Sequence, residues 1–436
     1  MKSSSMPEHL HREEFLSREA IETLQAERLT DTVARAAMSP FYRERLSRAG
    51  ISSRDIQGIS DVSALPMTTK DHLRASYPYG LLALPRERMV RMHASSGTTG
   101  SPTVIFHTRE DLDVWADLVA RCMHMVGARP GDPFQNMSGY GLFTGGLGIH
   151  YGAERLGCMT IPSGAGNSKR QIKLLKDFRV RVVHIIPSYA LHLATVFEKL
   201  GEDPSGLSLE IALIGAEPHT HEVRRRIEEL FGIKAYNSYG LSEMNGPGVA
   251  FECQHQEGMH LWEDAFLPEI VDPETFEPLP EGEVGELVLT TLNRQGMPII
   301  RYRTKDLTRF LPGDCPCGRK HRRIDRIRGR SDDMIILKGV NIYPMQVEQV
   351  LMSIPEVGQN YLIVLERKGH LDNMRVKVEI KDEFFVEDMR ELKGLEQRIT
   401  RQLRDEILIT PRVELVEHNT LPSSEGKAVR VLDERE

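Results

Sequence analysis

The stretch VRVVHIIPSYALHLATVFEKL, residues 180–200, determines how this chain is expected to fold. Its first part is a short run rich in β-branched residues, and its second part has apolar residues at helical spacing. The same order recurs in LEIALIG, residues 209–215, before HTHEVRRRIEELFG, residues 219–232, and KAYNSYG, residues 234–240, is again strand-like. Strands that alternate with helices at this spacing predict parallel βαβ units. We therefore expect an α/β fold with parallel-rich sheets flanked by helices.

The two ends of the chain carry different patterns. Residues 11–50 mix apolar residues at helical spacing with many charges and stop at Gly50, which predicts a helical opening. After the charged segment HRRIDRIRGRSDD, apolar runs follow in the order strand, helix, strand, strand, helix, strand, which predicts a small α+β unit. We therefore expect a large N-terminal domain over residues 1–330 and a small C-terminal domain over residues 331–436.

Composition narrows the class of protein. The 436 residues carry a formal net charge of −7, with 40% hydrophobic and 27% charged residues. These values are typical of a globular protein and argue against nucleic acid or an anionic membrane as the main partner. The first residues lack the apolar run of a signal peptide, and no stretch is apolar enough to span a membrane, so we expect a cytoplasmic protein. The five cysteines do not suggest a disulfide framework; Cys122 and Cys158 lie in apolar surroundings and are expected in the core.

A glycine-rich loop is the first candidate binding element. The stretch HASSGTTGSPTVIFHT, residues 93–108, places small residues from Ser95 to Ser101 between two strand-like segments. Gly97 and Gly100 are too close together for a Walker A loop. Glycines let backbone N–H groups turn toward one point and hydroxyls add donors, so the loop can cradle a polyphosphate. A flexible surface loop is the alternative from composition alone, but the strand-like flanks favour a hairpin tip.

This loop resembles the phosphate loop of the adenylate-forming enzymes, the superfamily of acyl-CoA synthetases, adenylation domains and luciferases. Five further stretches match that superfamily in order: GAEP, NSYGLSE, RYRTKDL, GRSDDMIILKGVNIYPMQVE and LPSSEGKAVR. Within it, SPFYRERL, LPMTTKDHLRASYP and YGLFTGGLGIHYGAERLG resemble phenylacetate–CoA ligases, and the similarity covers nearly the whole chain. Two features depart from the usual pattern: Ser101 stands where a lysine is often found, and the segment NRQGMPIIRYRT differs in detail.

The resemblance implies an ATP site with Mg²⁺. It assigns Mg²⁺ binding to Glu243, adenine stacking to Tyr239 and acceptance of ribose hydrogen bonds to Asp306, while Arg330 corresponds to an arginine near ribose and phosphate. A turn residue and part of a charged linker are the alternatives for Asp306 and Arg330. The expected nucleotide-binding residues are Ser95, Ser96, Gly97, Thr98, Thr99, Gly100, Gly215, Ala216, Glu217, Pro218, Asn237, Ser238, Tyr239, Gly240, Ser242 and Asp306.

The resemblance also assigns roles near the C-terminus and in an acid pocket. Lys427 resembles the lysine of a mobile C-terminal lid that bridges the carboxylate and the α-phosphate during adenylation, and the expected catalytic residues are Lys427, Glu243 and Arg330. Asp332 resembles the hinge about which that lid swings. The Gly-rich stretch YGLFTGGLGIHYG leaves room for a planar ring, although packing at a helix start is the alternative. The residues expected to line an aryl-acid pocket are Tyr140, Phe143 and Gly145.

Clustered cysteines suggest a separate metal site. CPCG, residues 315–318, has two cysteines close together, and FECQHQEGMH, residues 251–260, adds a third cysteine and two histidines. Three cysteines and one histidine would complete a structural Zn²⁺ site with no position left for substrate, while reduced surface thiols are the alternative. Some members of the family carry such a cluster, and His260 is preferred to His255 and His321 because it lies nearest a family strand motif. The predicted ligands are Cys253, His260, Cys315 and Cys317.

The expected activity is the ATP-dependent, AMP-forming ligation of an aryl acid, with phenylacetate as the leading substrate, to coenzyme A through an acyl-adenylate. ATP, Mg²⁺, coenzyme A and a structural Zn²⁺ are the expected cofactors, and relatives suggest a homodimer. The alternatives are an indoleacetate–CoA ligase, a coenzyme F420-adenylating enzyme or a catalytically silent nucleotide-binding protein. The presence of Glu243, Asp306, Arg330 and Lys427 together argues against the silent protein.

Overall fold

A computed structural model defines the fold over residues 12–95, 102–338, 340–368, 371–384, 389–418, 420–421 and 429–435. The α-helices in these ranges are α1 Arg18–Ala36, α2 Pro40–Ala49, α3 Lys70–Ala75, α4 Arg109–Met125, α5 Thr144–Leu156, α6 Ser168–Asp177, α7 Pro187–Lys199, α8 His221–Phe231, α9 Pro344–Met352 and α10 Met389–Ile407. None of these helices combines the length and the apolar content needed to cross a membrane.

The strands of the described residues are β1 Arg91–Ser95, β2 Thr103–His107, β3 Pro133–Asn136, β4 Met159–Ile161, β5 Val182–Ile185, β6 Ile211–Gly215, β7 Lys234–Leu241, β8 Gly246–Glu252, β9 Met259–Leu261, β10 Phe266–Val271, β11 Gly285–Thr291, β12 Tyr302–Thr308, β13 Phe310–Leu311, β14 Arg323–Ile324, β15 Gly329–Arg330, β16 Ile335–Leu337, β17 Val340–Ile342, β18 Val357–Lys368, β19 Leu371–Ile380, β20 Arg412–Val416 and β21 Val431–Glu434.

The central sheet contains the predicted βαβ units. Its nine strands lie in the order β13-β14-β9-β8-β7-β6-β5-β3-β4, and pairing is parallel from β7 through β6, β5 and β3 to β4. Every residue of β5 and β6 is buried, as expected for parallel strands covered on both faces. Leu213 belongs to one apolar core, and its neighbours Ala212 and Ile214 belong to another on the opposite face. The α/β prediction is confirmed.

A second sheet, of four antiparallel strands in the order β10-β11-β12-β15, was not expected from the sequence. Its last pairing sets Asp306 opposite Arg330. The flanks of the glycine-rich loop form the predicted hairpin, because β1 and β2 pair antiparallel with Ser95 opposite Thr103 as the last pair. The hairpin ends where the loop begins.

Residues after Ile335 form a separate sheet and core. Strands β20, β19, β18 and β21 make one sheet, and α9 and α10 contribute Val347 and Leu403 to its core cluster. The expected order of elements is present with two additions. The run MIILKGV forms the hairpin β16–β17, with Lys338 at φ +51° in its turn, rather than a single strand. Strand β21 was missed because it is short and mostly exposed; it pairs in parallel with β18.

The predicted helical opening is confirmed as two helices. Ser39 separates them by capping α2, since its Oγ accepts the N–H of Tyr42, and Pro40 occupies the first helical position. Gly50 ends α2 at φ +68°. Cys122 and Cys158 are buried, as predicted.

A buried ion network connects this opening to the rest of the chain. Arg121 donates to Asp264 at 2.9 and 3.2 Å and to Glu14 at 3.2 Å, and all three side chains are buried. The guanidinium carbon of Arg121 also lies 4.1 Å from the ring centre of Trp262. Because each buried charge has an opposite partner, removal of one partner leaves the other uncompensated.

We expect Asp264→Asn to lower the free energy of unfolding by about 3–5 kcal/mol, because Arg121 would keep only Glu14 as a counter-charge. Burial alone would raise the pKa of Asp264, but Arg121 together with His321 and Arg28 outweighs that effect and lowers the pKa from 3.8 to about 2. The stabilisation is therefore complete above the unfolded-state pKa of about 3.9 and is lost as the pH falls through about 2.

Denaturant unfolding of both proteins between about pH 5 and about pH 2.5 measures this linkage. The wild type should lose more stability than Asp264→Asn over that interval. Equal losses would contradict the role given to Asp264.

Candidate active site

The candidate site begins where β6 and β7 approach each other at their carboxyl ends. A Cβ atom on Gly215 would lie 2.3 Å from the carbonyl oxygen of Ser238, so only glycine fits there. Ala216 follows at φ +70°, in the left-handed region, and turns the chain out of the sheet. Glu217 and Pro218 then line a cavity of about 580 Å³. Open α/β sheets bind ligands at this end of their strands.

The opposite wall of this cavity comes from later parts of the chain. Arg330 and Asp332 contribute to it, as do Glu348, Tyr361 and Arg430 from the C-terminal sheet and its helix. The cavity therefore lies between the large sheet and the C-terminal unit.

The side chain of Glu217 is engaged with a helix. Its Oε1 accepts the N–H of Ser188 at 2.6 Å, near the start of α7. A carboxylate in that position interacts favourably with the positive end of the helix dipole. The expected contact of this motif with adenine through its backbone stays a prediction.

Strand β7 carries the next set of expected residues. Asn237 donates its backbone N–H to Glu252 at 2.8 Å, and the Oγ of Ser242 lies 3.1 Å from the Oγ1 of Thr144. The strand residues brought to this end of the sheet are Asn237, Ser238, Tyr239 and Gly240.

A buried polar cluster joins three strands beside the cavity. The hydroxyl of Tyr239 donates to Asp306 Oδ2 at 2.6 Å, and Arg330 Nη1 donates to Asp306 Oδ1 at 3.2 Å. Burial raises the pKa of Asp306 from 3.8 to about 6, although Tyr239 and Arg330 oppose the rise. The structure thus brings together residues that are distant in sequence, from β7, β12 and β15.

Arg330 also donates hydrogen bonds to Asp332, the expected hinge residue. Its Nε and Nη2 donate to the two carboxylate oxygens of Asp332 at 2.9 and 3.0 Å. A bidentate pair of this kind fixes the plane of the guanidinium. The side chain of Asp332 is about half exposed, so this pair lies at the surface end of the cluster.

Glu243 lies in a short 3-10 turn that follows β7, and it is buried. The hydroxyl of Tyr302 bonds to its carboxylate; burial, followed by the nearby charge of Glu243, raises the pKa of Tyr302 well above 10. A buried carboxylate is a suitable oxygen ligand for Mg²⁺.

Sequence reasoning missed Arg294, which supports this turn. Its Nη1 donates to the carbonyl oxygen of Glu243 at 2.6 Å, and the side chain is buried. Its Nε and Nη2 have no hydrogen-bond partner among the described residues. The only sequence signal was the unusual segment NRQGMPIIRYRT.

Several expected residues lie outside the described part of the chain. They are Lys427 and the loop residues Ser96, Gly97, Thr98, Thr99, Gly100 and Ser101. Ser95, the last residue of β1, is described, and its buried Oγ has no hydrogen-bond partner among the described residues.

The expected aryl-acid pocket is only partly enclosed. The hydroxyl of Tyr140 accepts a hydrogen bond from Asn136 Nδ2 at 3.0 Å and lies 3.2 Å from His150 Nδ1. Phe143, at the start of α5, is 52% exposed. A Cβ atom on Gly145 would meet no atom within 4 Å among the described residues. Tyr140 is therefore anchored, and the roles of Tyr140, Phe143 and Gly145 in an aryl-acid pocket stay predictions.

The predicted metal ligands come together in one cluster. One ligand atom from each of Cys253, His260, Cys315 and Cys317 lies within 4.8 Å of the others. The Sγ atoms of Cys253 and Cys315 are 3.6 Å apart, and Cys317 Sγ lies 3.3 Å from His260 Nε2. The sulfur separation is far from a disulfide and close to the edge of about 3.8 Å expected for thiolates around tetrahedral Zn²⁺.

The neighbouring histidines are placed differently. His260 Nδ1 lies 3.3 Å from the carbonyl oxygen of His321, which leaves its Nε2 toward the cysteines. His321 uses Nδ1 to accept the N–H of Glu263, and His255 is exposed. A metal-bound histidine commonly hydrogen-bonds its second nitrogen to a backbone carbonyl, as His260 does with His321.

The AMP-binding enzyme family matches residues 47–293, and the C-terminal domain of AMP-binding enzymes matches residues 339–435. The fold and site therefore define an AMP-binding, adenylate-forming enzyme. The chain is 49% identical to the phenylacetate–coenzyme A ligase of Thermus thermophilus over 97% of this chain and 98% of that protein. It is 44% identical to the ligase of the same name from Escherichia coli over 97% of both. The chain belongs to the phenylacetate–coenzyme A ligase family.

Solved structures add information on the arrangement of the chain. A 2-hydroxyisobutyryl-CoA ligase in the postadenylation state, in complex with 2-HIB-AMP, matches with a TM-score of 0.92 and 29% identity over 97% of this chain and 92% of that chain. The same ligase with 2-HIB-AMP and CoA in the thioesterification state matches with a TM-score of 0.73 and 30% identity over 98% and 92%.

We expect adenosine to bind more weakly as the pH falls below about 6, because a protonated Asp306 is a poorer acceptor for ribose hydroxyls. Adenosine is chosen because it carries no titrating phosphate. Asp306→Asn should weaken binding by about 1.5–3 kcal/mol at neutral pH and abolish this pH dependence.

Calorimetric titration between about pH 5 and about pH 8 measures both effects. Asp314→Asn, an exposed carboxylate in a surface loop, is the control and should bind adenosine as the wild type does. A wild-type affinity that does not change across this range would argue against the ribose role of Asp306.

Proposed function

We propose that the chain catalyses the AMP-forming ligation of phenylacetate to coenzyme A. The identity of 49% to a phenylacetate–coenzyme A ligase over 97% of the chain carries this proposal. The cluster of Tyr239, Asp306 and Arg330 supports it, because the cluster offers a carboxylate, a ring and a guanidinium, and Arg330 lines the cavity of about 580 Å³.

The proposed reaction has two steps. First, a carboxylate oxygen attacks the α-phosphorus of ATP, the bond to the bridging oxygen breaks, and pyrophosphate leaves. Then the thiol sulfur of coenzyme A attacks the acyl carbon, its proton passes to solvent, and AMP leaves with the electron pair of the broken C–O bond. The first step brings two anions together, so positive charge and positioning matter more than general acid–base catalysis.

The proposed residue roles follow from this charge problem. Asp306 and Tyr239 hold the nucleoside, and Arg330 and Lys427 supply positive charge near the α-phosphate. The proposed ligand for Mg²⁺ is Glu243, since a hard cation suits one carboxylate combined with substrate phosphates. When bound, the cation would offset the negative charge of the departing pyrophosphate.

We further propose two domains, residues 1–330 and 331–436, that pivot at Asp332. The separate apolar core of the residues after Ile335 supports this division. The arrangement of the chain also resembles the postadenylation structure of the relative far more than its thioesterification structure. We assign the present arrangement to the adenylation step.

The cluster of Cys253, His260, Cys315 and Cys317 is proposed as a structural Zn²⁺ site. Its donor set of three thiolates and one imidazole suits this ion, and all four coordination positions would be filled by protein. The cytoplasmic location and the homodimer expected from the sequence stay predictions.

The proposed substrate is tested by pyrophosphate release. Phenylacetate, indoleacetate and a panel of other aryl acids are each supplied with ATP and Mg²⁺, and thioester formation is followed after CoA is added. Phenylacetate should give the highest kcat/KM. A higher value for another acid would replace phenylacetate, and no release with any acid would contradict the proposed activity.

Lys427→Ala should abolish acyl-adenylate formation, because the charge that opposes the transition-state anion would be lost. Thioester formation from pre-made phenylacetyl-AMP should largely survive. Lys393→Ala, an exposed lysine on α10, is the matched control and should leave both half-reactions unchanged. Equal loss of both half-reactions in Lys427→Ala would contradict its assigned role.

Purified protein should contain about one equivalent of zinc, since the four ligands form one closed site. His260→Ala should lose most of this zinc, whereas His255→Ala should keep it. Elemental analysis of protein purified without chelator gives the measurement. Absence of zinc from the wild type, or equal retention by both variants, would remove the proposed site.

A further inference from the structure

A buried glutamate connects the two parts of the chain beside the cavity. Glu348 lies on α9 and is only 8% exposed. Its Oε1 accepts the backbone N–H of Thr220 at 3.3 Å, and its Oε2 accepts the hydroxyl of Tyr361 at 3.0 Å. Thr220 belongs to the large sheet region, whereas Tyr361 lies on β18 of the C-terminal sheet. The carboxylate therefore bridges the two units.

On the C-terminal side, the bridge reaches the segment that follows Lys427. The guanidinium carbon of Arg430 lies 4.6 Å from the ring centre of Tyr361. Its positive charge also acts on Glu348. Arg430 is three positions after Lys427 in the sequence and directly precedes β21. A displacement of the bridge would therefore act on Arg430, at the start of the strand that follows Lys427 in the sequence.

On the other side, the bridge reaches the nucleotide motif. Thr220 is the N-cap of α8 and comes three residues after Glu217. Its backbone N–H, which Glu348 accepts, is held in place by the helix it begins. The carboxylate thus joins the start of α8, next to the GAEP motif, to the strand that follows Lys427.

Burial of this carboxylate has a cost that its partners must offset. Burial and the nearby Glu217 raise the pKa of Glu348, whereas Arg430, Tyr361 and Thr220 lower it. One of the two hydrogen-bond donors to Glu348, the N–H of Thr220, belongs to the other unit. The two structures of the relative differ in arrangement, and this chain resembles the postadenylation one. The contact with Thr220 belongs to that arrangement.

We propose that Glu348 is a positioning residue for adenylation, which holds the C-terminal unit against the start of α8 beside the GAEP motif. The inference rests on the proposed two-step ligase function. We expect loss of Glu348 to slow only the first half-reaction, because the bridge to Thr220 is not needed once the units have rearranged. A purely structural role inside the C-terminal unit would affect both half-reactions.

Glu348→Ala is tested in separate half-reactions. Pyrophosphate release with ATP and phenylacetate should fall by at least about 10-fold, as expected for loss of a hydrogen bond to a charged group. Thioester formation from pre-made phenylacetyl-AMP and CoA should stay within about twofold of the wild type. Glu348→Gln keeps an oxygen for the Thr220 N–H, so it should retain more adenylation than Glu348→Ala.

Two further variants separate the bridge from the stability of α9. Tyr361→Phe removes the donor to Glu348 but keeps the ring beside Arg430, and it should reduce adenylation less than Glu348→Ala. Gln346→Ala is the matched control on the same helix; Gln346 accepts the N–H of Tyr343 at 2.9 Å, within the C-terminal unit. It should leave the ratio of the two half-reactions unchanged. Thermal unfolding confirms that each variant is folded.

Equal losses in both half-reactions of Glu348→Ala, or no loss in either, would overturn the proposal. If the wild type releases no pyrophosphate with any acid, the proposed function has failed. Small-angle X-ray scattering without substrate then tests whether Glu348 holds the arrangement of the two units. The wild-type profile should fit the present arrangement, and the Glu348→Ala profile should depart from it while that of Gln346→Ala does not. Identical profiles for the wild type and Glu348→Ala would then overturn the proposal.

Discussion

The carboxylate of Asp306 is the point at which the separate parts of this chain meet. Tyr239 reaches it from the central sheet and Arg330 from the neighbouring strand of the antiparallel sheet, and Arg330 also bonds to Asp332, shortly before the first strand of the C-terminal unit. Because burial raises the pKa of Asp306 to about 6, its ionised form costs stability at neutral pH. A ligand that donates hydrogen bonds to the carboxylate would offset that cost, which is typical of a binding position rather than a structural one.

The parts of this arrangement that are local in sequence could be predicted. Alternation of β-branched runs with helical periodicity identified β5, β6 and β7, and Gly50 marked the end of the helical opening by residue type. Long-range pairing could not be predicted in the same way. The antiparallel position of β12 and β15 and the contact between Arg294 and Glu243 depend on which strands become neighbours, and no residue pattern within either segment encodes that choice.

The cysteine cluster combines a local signal, which could be predicted, with long-range contacts, which could not. The spacing of Cys315 and Cys317 is a local signal, but their meeting with Cys253 and His260 depends on β9 pairing with β14. Arg319, two residues after Cys317, donates to the buried Glu14 at 2.5 Å. The cluster is therefore joined to the ion network that holds the first helices. The sequence could suggest the ligands but not this connection to the N-terminus.

Several described contacts between the large sheet and the C-terminal unit are polar, and the partly buried Met352 of α9 adds an apolar contact. Besides the bridge from Glu348 to Thr220, Thr195 donates to Gln359 at 3.3 Å and Arg226 donates to the carbonyl oxygen of Val357 at 3.4 Å. Polar groups of this kind can exchange protein partners for water at a small net cost, whereas separation of a shared apolar core would expose its full area. Such contacts favour the movement proposed for this unit, and its buried apolar residues form a core of their own instead of joining the large one.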